Sequence, residues 1–298
     1  MELCLGTVQF GMSYGIRGQR QPEFSDTMKM LDYATQNGIN TIDTANAYGT
    51  AEDLIGQFLS KKTISRDNLF LISKLQPNVL DNCNEEQYYS IIKDNVERSL
   101  YRLHTDYLDS YLLHSSRYVF NDKILDALNK LKQEGYARSV GVSVYETHEA
   151  QRCIESSKVD FMQLPYSIFD QRMDKERVFE YAKGKGIIIH SRSAFIQGLI
   201  LMQENEVPSF LKKAKPIVRK ITELCDKYQI SRIALAMSYV KMQAGISHLV
   251  FGVDNIEQLK EDISLFEYSI PKDIIMEISK EFDDIDADIV MPSLWKKE

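Results

Sequence analysis

The chain has 298 residues, of which 44% are hydrophobic and 27% charged, the balance of an ordinary globular protein. Its net charge of -7 argues against nucleic acid or an anionic membrane surface as the main partner. No apolar run approaches the roughly 18 residues of a membrane span, and the amino terminus does not have the pattern of a secretory signal, so we expect a cytoplasmic protein.

Eight short apolar runs, each typical of a β-strand, follow one another along the chain. They cover residues 3–8, 39–43, 69–74, 107–114, 139–143, 159–163, 187–191 and 248–252. The stretches between them repeat apolar residues every three or four positions, as Ile92, Val96 and Leu100 do, which indicates amphipathic helices. Strands alternating with helices eight times predict a (β/α)₈ TIM barrel, with residues 1–298 forming a single domain.

The end of the chain departs from the simple alternation. The interval between the seventh and eighth strands is long enough for two helices, predicted over residues 210–228 and 231–243. After the last strand, residues 271–298 are expected to form a carboxyl-terminal helix and tail. The helix is predicted over residues 271–282, and the acidic run at 283–288 is expected to be mobile.

The four cysteines are scattered along the chain without paired spacing, at positions 4, 83, 153 and 225. Neither a disulfide framework nor a metal site is predicted from them. Reduced thiols agree with a cytoplasmic protein.

Polar side chains close three of the predicted strands. Asp43, Lys74 and His114 each end an apolar run, and Tyr48 follows Asp43 by five positions. Strand ends of a parallel barrel converge on one face, so a carboxylate, an amine, an imidazole and a phenol are expected to meet there. Singly, each has an ordinary structural explanation, such as helix capping or packing. Together they suit proton transfer to a carbonyl oxygen.

The order of these residues and of several later motifs resembles the aldo-keto reductase family. The matching segments are Ile-Asp-Thr-Ala-Asn-Ala-Tyr-Gly at 42–49, Gly-Val-Ser at 141–143, Met-Gln-Leu-Pro-Tyr-Ser at 162–167, Ser193 ahead of Gln-Gly-Leu at 197–199, and Phe-Gly-Val-Asp-Asn-Ile-Glu-Gln-Leu at 251–259. The resemblance implies an oxidoreductase that transfers a hydride between a nicotinamide cofactor and an aldehyde, ketone or sugar-like substrate. Many relatives begin with a β-hairpin that covers the amino-terminal end of the barrel. None is evident here, so other groups, or a partner subunit, are expected to cover that end.

The resemblance also implies catalytic roles. Tyr48 would be the acid, and the Lys74 cation would favour its phenolate. Asp43 would hold the Lys74 ammonium and bond the nicotinamide ribose. A neutral His114 would direct an N–H at the carbonyl oxygen.

A second set of residues matches positions that hold the cofactor in the family. Ser143 and Gln163 would bind the carboxamide, Ser193 would also contact the cofactor, and Gln197 and Gly198 would lie in the loop over the pyrophosphate. Arg192 stands where many relatives carry an aromatic residue. Its guanidinium could stack on the nicotinamide ring, which we favour, or reach a phosphate or a substrate oxygen.

The segment after the eighth strand bears on the form of the cofactor. The residues expected to contact it there are Gly252, Asp254, Gln258, Glu261 and Asp262. Relatives that prefer NADP usually place basic residues in this segment, whereas this chain offers mainly carboxylates, which favours NAD. NADP stays open, because helix N–H groups together with Asn255 and Gln258 could hold a phosphate.

Substrate choice is expected to depend on the loops at residues 12–21 and 115–120 and on the tail. Aromatic residues that could line the pocket are Phe10, Tyr14, Tyr48, Tyr118, Phe120, Phe169 and Trp295. Two other classes of function stay open at this point. One is a lyase or aldolase that forms a Schiff base on Lys74, and the other is a cofactor-binding regulatory protein with weak turnover.

Overall fold

The computed structural model describes residues 1–296 and contains eight parallel strands hydrogen-bonded into a closed barrel. The strands are β1 (Glu2–Gly6), β2 (Thr41–Asp43), β3 (Phe70–Lys74), β4 (Leu108–Leu113), β5 (Ala137–Ser143), β6 (Phe161–Pro165), β7 (Ile188–Arg192) and β8 (His248–Phe251). Each strand pairs with its neighbours in sequence, and β1 closes the barrel by pairing with β8. The predicted (β/α)₈ fold is confirmed.

Helices surround the barrel on the outside. They are α1 (Val8–Gly11), α2 (Phe24–Gln36), α3 (Ala51–Ser60), α4 (Tyr88–Leu103), α5 (Asp122–Gln133), α6 (Thr147–Ser156), α7 (Arg172–Lys175), α8 (Val178–Gly184), α9 (Lys215–Tyr228), α10 (Arg232–Lys241), α11 (Ile256–Glu267), α12 (Lys272–Lys280) and α13 (Ala287–Val290). The two helices predicted between the last strands are α9 and α10, and the predicted final helix is α12. Among the described residues, no helix combines the length and apolarity needed to cross a bilayer.

Side chains alternate along each strand between the barrel interior and the helix layer. Inside the barrel, Cys4, Ile72, Leu112 and Phe161 form an apolar cluster of their own, separate from the main core between strands and helices. Lys74 lies two residues beyond Ile72 and therefore points inward as well. By the same parity, the inward positions at the carboxyl ends are Asp43, Lys74, His114, Ser143, Gln163, Arg192 and Gly252.

The amino-terminal end of the barrel is filled by its own side chains. β1 begins at Glu2, with no hairpin before it in the described chain. The rings of His190 and His248 lie 4.2 Å apart, and Phe161 meets His190 edge-on at 4.5 Å. Phe70 stacks on Phe161 at 6.5 Å. These rings cover the end for which a separate element was expected.

The acidic segment after α12, expected as a mobile tail, makes contacts with the rest of the chain. The Nζ of Lys213 lies 3.7 Å from Asp286 and 2.8 Å from Asp288. Ile289 and Trp295 are buried, and the Trp295 indole donates to the backbone oxygen of Ile289 at 3.2 Å. Apolar residues next to the charges anchor the tail, so the acidic run forms ion pairs on a packed segment. The last two positions of the predicted tail, 297 and 298, lie outside the described residues.

Candidate active site

A buried ion pair lies at the carboxyl end of the barrel. The Lys74 side chain is 0% exposed, and its Nζ is 2.7 Å from each carboxylate oxygen of Asp43 and 3.0 Å from the backbone oxygen of Thr44. The Gln163 amide nitrogen donates to Asp43 at 2.8 Å. These bonds offset the cost of burying both charges, and breaking the pair would leave one of them uncompensated.

Tyr48 lies in the turn between β2 and α3, directly beside this pair. Its ring centroid is 5.0 Å from the Lys74 Nζ and 5.7 Å from the His114 ring, which it meets edge-on. Burial raises the pKa of the phenol well above its usual value, and the Asp43 charge raises it further, while Arg192 lowers it. The phenol therefore carries its proton at neutral pH.

Two glycines fix the backbone of the Tyr48 turn. A Cβ on Gly11 would lie 1.7 Å from the Tyr48 backbone oxygen and 2.6 Å from the Ala51 nitrogen. Gly49 has a φ of 54° in the left-handed region and passes so close to Gly11 that it also has no room for a side chain. Gly11 was not predicted, because an isolated glycine in a sequence does not indicate a contact with a distant turn.

His114 follows β4 and stays neutral. Burial, with the nearby charges of Lys74 and Arg192, lowers the pKa of its imidazole to about 3. The Nδ1 atom is buried and has no hydrogen-bond partner among residues 1–296. A neutral ring keeps one N–H, which can donate to a substrate oxygen.

A cleft of about 610 Å³ runs from these groups along the mouth of the barrel. Its lining includes the predicted residues Asp43, Tyr48, His114, Ser143, Gln163, Arg192, Ser193, Gln197, Gly198, Gly252, Asp254, Gln258, Glu261 and Asp262. Among the predicted catalytic and cofactor-binding residues, Lys74 is the exception. It lies beneath the cleft rather than on its wall.

Arg192 ends β7 and stacks on Tyr145, which follows β5. Its guanidinium carbon is 4.2 Å from the centre of the Tyr145 ring. Nη2 donates to the backbone oxygen of Val144 at 3.0 Å and Nη1 to the Ser193 hydroxyl at 3.3 Å. One face of the guanidinium is therefore covered by a protein ring, a contact that was not predicted.

The loop after β7 has an unusual backbone and is tied to the loop after β1. Ser193, Ile196 and Gln197 have φ values of 66°, 47° and 52°, and Gly198 follows at 96°. The backbone nitrogen of Ile16 donates to the Gln197 oxygen at 3.2 Å. Several non-glycine residues in the left-handed region are uncommon and concentrate at ligand sites, where surrounding contacts hold them. Here the two loops meet across the cleft.

At the opposite end of the cleft, the segment after β8 carries carboxylates. Two of its backbone N–H groups already donate to side chains of the same segment. The Asp254 nitrogen donates to the Gln258 side chain at 2.8 Å, and the Gln258 nitrogen donates to the Asn255 side chain at 2.9 Å. Burial raises the pKa of Asp254, and burial with the charge of Glu261 raises the pKa of Asp262 to about 7. Asn255 and Gln258 thus cap α11 in this structure, which weakens the case for a phosphate bound to them.

Several cleft residues were not predicted. Gln9 lies so close to Gly252 that a Cβ there would be 2.3 Å from its amide oxygen, which is buried without a partner among residues 1–296. Tyr145 was also missed, whereas Tyr14 lines the cleft as expected. The other predicted aromatic residues are not part of its described lining: Phe10, Tyr118, Phe120, Phe169 and Trp295.

Curated relatives resemble the chain over most of its length. Glyoxal reductase of Bacillus subtilis is 28% identical over 252 residues, which cover 84% of this chain and 81% of that protein. The NADH-specific methylglyoxal reductase of Escherichia coli is 25% identical over 262 residues, covering 78% of this chain and 80% of that protein.

The fold is shared with solved structures. The holo form of an aldo-keto reductase from Bacillus halodurans aligns with a TM-score of 0.77 and 20% identity, covering 97% of this chain and 95% of that one. The sequence model described as "Aldo/keto reductase family" matches residues 2–281. The chain belongs to the aldo/keto reductase family.

Proposed function

We propose that this protein is a nicotinamide-dependent reductase of small carbonyl compounds in which Tyr48 supplies the proton. The observation that carries the proposal is the meeting of a protonated phenol, a neutral imidazole and a buried Lys74–Asp43 pair at one end of a long cleft. Tyr48 would donate to the carbonyl oxygen, and His114 would orient that oxygen through its N–H.

The cleft suits an extended dinucleotide. Its volume lies within the roughly 300–1,000 Å³ of ligand pockets in general. The buried amide oxygens of Gln9 and Gln197 have no partner among the described residues, so both can accept bonds from a ligand. Beside Gly198, a Cβ would meet no atom closer than 4.0 Å, which leaves room for a ligand to approach the backbone. When bound there, a nicotinamide cofactor supplies the hydride.

The residues proposed to hold this cofactor line the cleft, and their roles are those that the family resemblance implies. Ser143 and Gln163 would bind the carboxamide. Because one N–H of the Gln163 amide donates to Asp43, its oxygen and its second N–H are left for the carboxamide. Gln197 and Gly198 would contact the pyrophosphate, and Ser193 would also contact the cofactor. Gly252, Asp254, Gln258, Glu261 and Asp262 would surround the adenosine.

We assign NADH as the preferred form over NADPH. Asp254, Glu261 and Asp262 would repel a 2′-phosphate, and Asp254 could instead accept bonds from free ribose hydroxyls. A relative from Escherichia coli is described as NADH-specific. The substrate is proposed to be a small aldehyde, ketone or sugar-like compound, as the names glyoxal reductase and D-arabinose 1-dehydrogenase suggest for two relatives. A cytoplasmic location agrees with four free cysteines.

The Schiff-base alternative has little support in this geometry. The Lys74 amine is fully buried and bonded to Asp43 and Thr44, whereas a Schiff base requires an accessible neutral amine. The regulatory alternative predicts weak turnover, whereas all four proposed catalytic side chains are present and lie close together.

The decisive experiment replaces the acid. We expect Tyr48→Phe to lower turnover of a small aldehyde by about 10²–10⁴-fold, because the proton donor is lost while the ring remains. NADH affinity, measured by fluorescence titration, should stay close to that of the wild type. Tyr101→Phe is a matched control, since Tyr101 is 82% exposed on α4. Wild-type turnover in Tyr48→Phe would show that Tyr48 is not the acid.

A further inference from the structure

Arg192 is a cation of the cleft wall without a carboxylate partner. Its bonds within residues 1–296 go to a backbone oxygen and a hydroxyl, and it forms no salt bridge there. Arg66 and Arg172 differ, because each of them pairs with an aspartate at 2.8 Å. Arg17, another cleft residue, pairs with Glu206 at 2.8 Å.

The Arg192 guanidinium lies at the reacting end of the cleft. It reaches from β7 across β6 to the residues after β5, and so away from β8 and its carboxylates. Arg192 lines the same cleft as Tyr14, Tyr48 and His114. Its charge lowers the pKa values of all three.

The remaining charges at this end are balanced. Asp43 is bonded through both oxygens to Lys74, so that pair carries no net charge. The net charge beside the candidate acid is therefore positive, in a protein whose overall charge is -7. An anion bound here would gain from the guanidinium without facing an unpaired carboxylate.

The guanidinium is also held in one orientation. Tyr145 covers one face, and the bonds to Val144 and Ser193 use only two of its five N–H groups. The remaining donors form a planar fork that matches the oxygens of a carboxylate or a phosphate.

We propose that the physiological substrate carries an anionic group, a carboxylate or a phosphate, that Arg192 binds while the carbonyl oxygen lies at Tyr48 and His114. This inference rests on the proposed function and deepens it by naming a substrate class. The competing role for Arg192 is a contact with the cofactor.

The test compares aldehydes that differ mainly in charge. Succinic semialdehyde is paired with methyl 4-oxobutanoate, and glyceraldehyde 3-phosphate with glyceraldehyde. The wild type should favour the anionic member of at least one pair by about tenfold or more in kcat/KM. The pair that shows the preference distinguishes carboxylate from phosphate. Equal use of both members in both pairs would overturn the inference.

Variants then assign the preference to Arg192. Arg192→Met should reduce the anionic-to-neutral ratio by about tenfold or more, and Arg192→Lys, which keeps the charge but not the fork, should reduce it less. Arg177→Met should leave the ratio unchanged, because Arg177 is not part of the described cleft lining and its charge is paired with Glu180. A ratio unaffected by Arg192→Met, or a loss confined to NADH affinity, would assign the guanidinium to the cofactor instead.

A binding measurement keeps this inference separate from the proposed function. Calorimetric titration of the protein–NADH complex with succinate and with inorganic phosphate should detect binding of one anion to the wild type, and none to Arg192→Met. That result would support the anion site even if no aldehyde were reduced. Binding of neither anion to the wild type would contradict it.

Discussion

Burial shifts the pKa values of two neighbouring side chains at the reacting end of the cleft in opposite directions. Burial disfavours the charged form of any group, so it raises the pKa of the Tyr48 phenol and lowers that of the His114 imidazole. Both groups are therefore uncharged at neutral pH, and each carries a hydrogen that it can donate. Such a site suits reduction of a carbonyl, in which the oxygen gains a proton.

This predicts a flat pH profile for reduction. At saturating cofactor, we expect kcat to stay level between about pH 5 and pH 8. His114 remains neutral above its pKa of about 3, and Tyr48 stays protonated until the pH passes well above 10. Initial rates measured across this range would check the profile. An inflection near about 6.5, the usual pKa of histidine, would show that His114 titrates and is not held neutral.

The pH dependence of NADH affinity provides a control for the kcat measurements. Asp262 lines the far end of the cleft, and its pKa of about 7 means that it gains a negative charge as pH rises through neutrality. The dissociation constant of NADH can therefore change near that pH while kcat at saturation does not.

At the scale of elements, regular strands place the reacting side chains, and irregular turns refine their positions. Parity along β3 directs Lys74 inward without help from any loop. Tyr48, by contrast, depends on a turn whose backbone passes close to Gly11 at the end of α1. Two segments that are distant in sequence thus fix the candidate acid through backbone contact.

Gly11→Ala tests this dependence. The new Cβ would meet backbone atoms of Tyr48 and Ala51 at 1.7 and 2.6 Å, so the turn must move. We expect kcat to fall by about 10–100-fold, since a displacement of about 1 Å in a catalytic group has effects of that size. Stability should fall by roughly 1–3 kcal/mol from overpacking, measured by denaturant unfolding.

The matched control is Gly184→Ala, at the end of α8. A Cβ there would meet nothing within 4 Å, and its φ is not in the left-handed region. This variant should keep wild-type kcat, and its stability should be unchanged or higher by up to about 1 kcal/mol, because alanine loses less backbone entropy on folding. Wild-type kcat in Gly11→Ala would mean that the turn adjusts without moving the phenol.

Across the whole molecule, charge is distributed unevenly along the cleft. A guanidinium lies beside the reacting groups, whereas the segment after β8 carries Asp254, Glu261 and Asp262. These carboxylates lie on the cleft wall after β8. Two backbone N–H groups of that wall already donate to side chains that cap α11. The distribution opposes extra negative charge beside the segment after β8 and favours it beside Arg192.

We therefore predict that NADH binds more tightly than NADPH by about tenfold or more. Fluorescence titration with both dinucleotides measures the ratio directly. Asp254→Asn removes one negative charge with little change in side-chain shape. It should reduce the ratio of NADH affinity to NADPH affinity. Glu257→Gln, on α11 but not part of the described cleft lining, should leave it unchanged. Tighter binding of NADPH to the wild type would show that the carboxylates do not exclude the phosphate.

Much of the fold could be read from the sequence, because local patterns encode it. Apolar runs separated by helical periodicity gave the eight strands, with bounds that differ from the observed ones by a few residues. The first run was predicted to reach residue 8, but β1 ends at Gly6, since the chain turns into α1 there. The inward direction of Lys74 and Gln163 follows from strand parity alone.

The sequence by itself determined the barrel, the order of its strands and the polar residues at their carboxyl ends, because periodicity and residue order express these features. Only the tertiary structure decided the approach of Gly11 to the Tyr48 turn, the stacking of Arg192 on Tyr145 and the packing of the tail. Those contacts join segments that are distant in sequence, and no local pattern of residues predicts them. They exist because closure of the barrel brings distant loops to one mouth, where backbone clearance and burial fix each side chain.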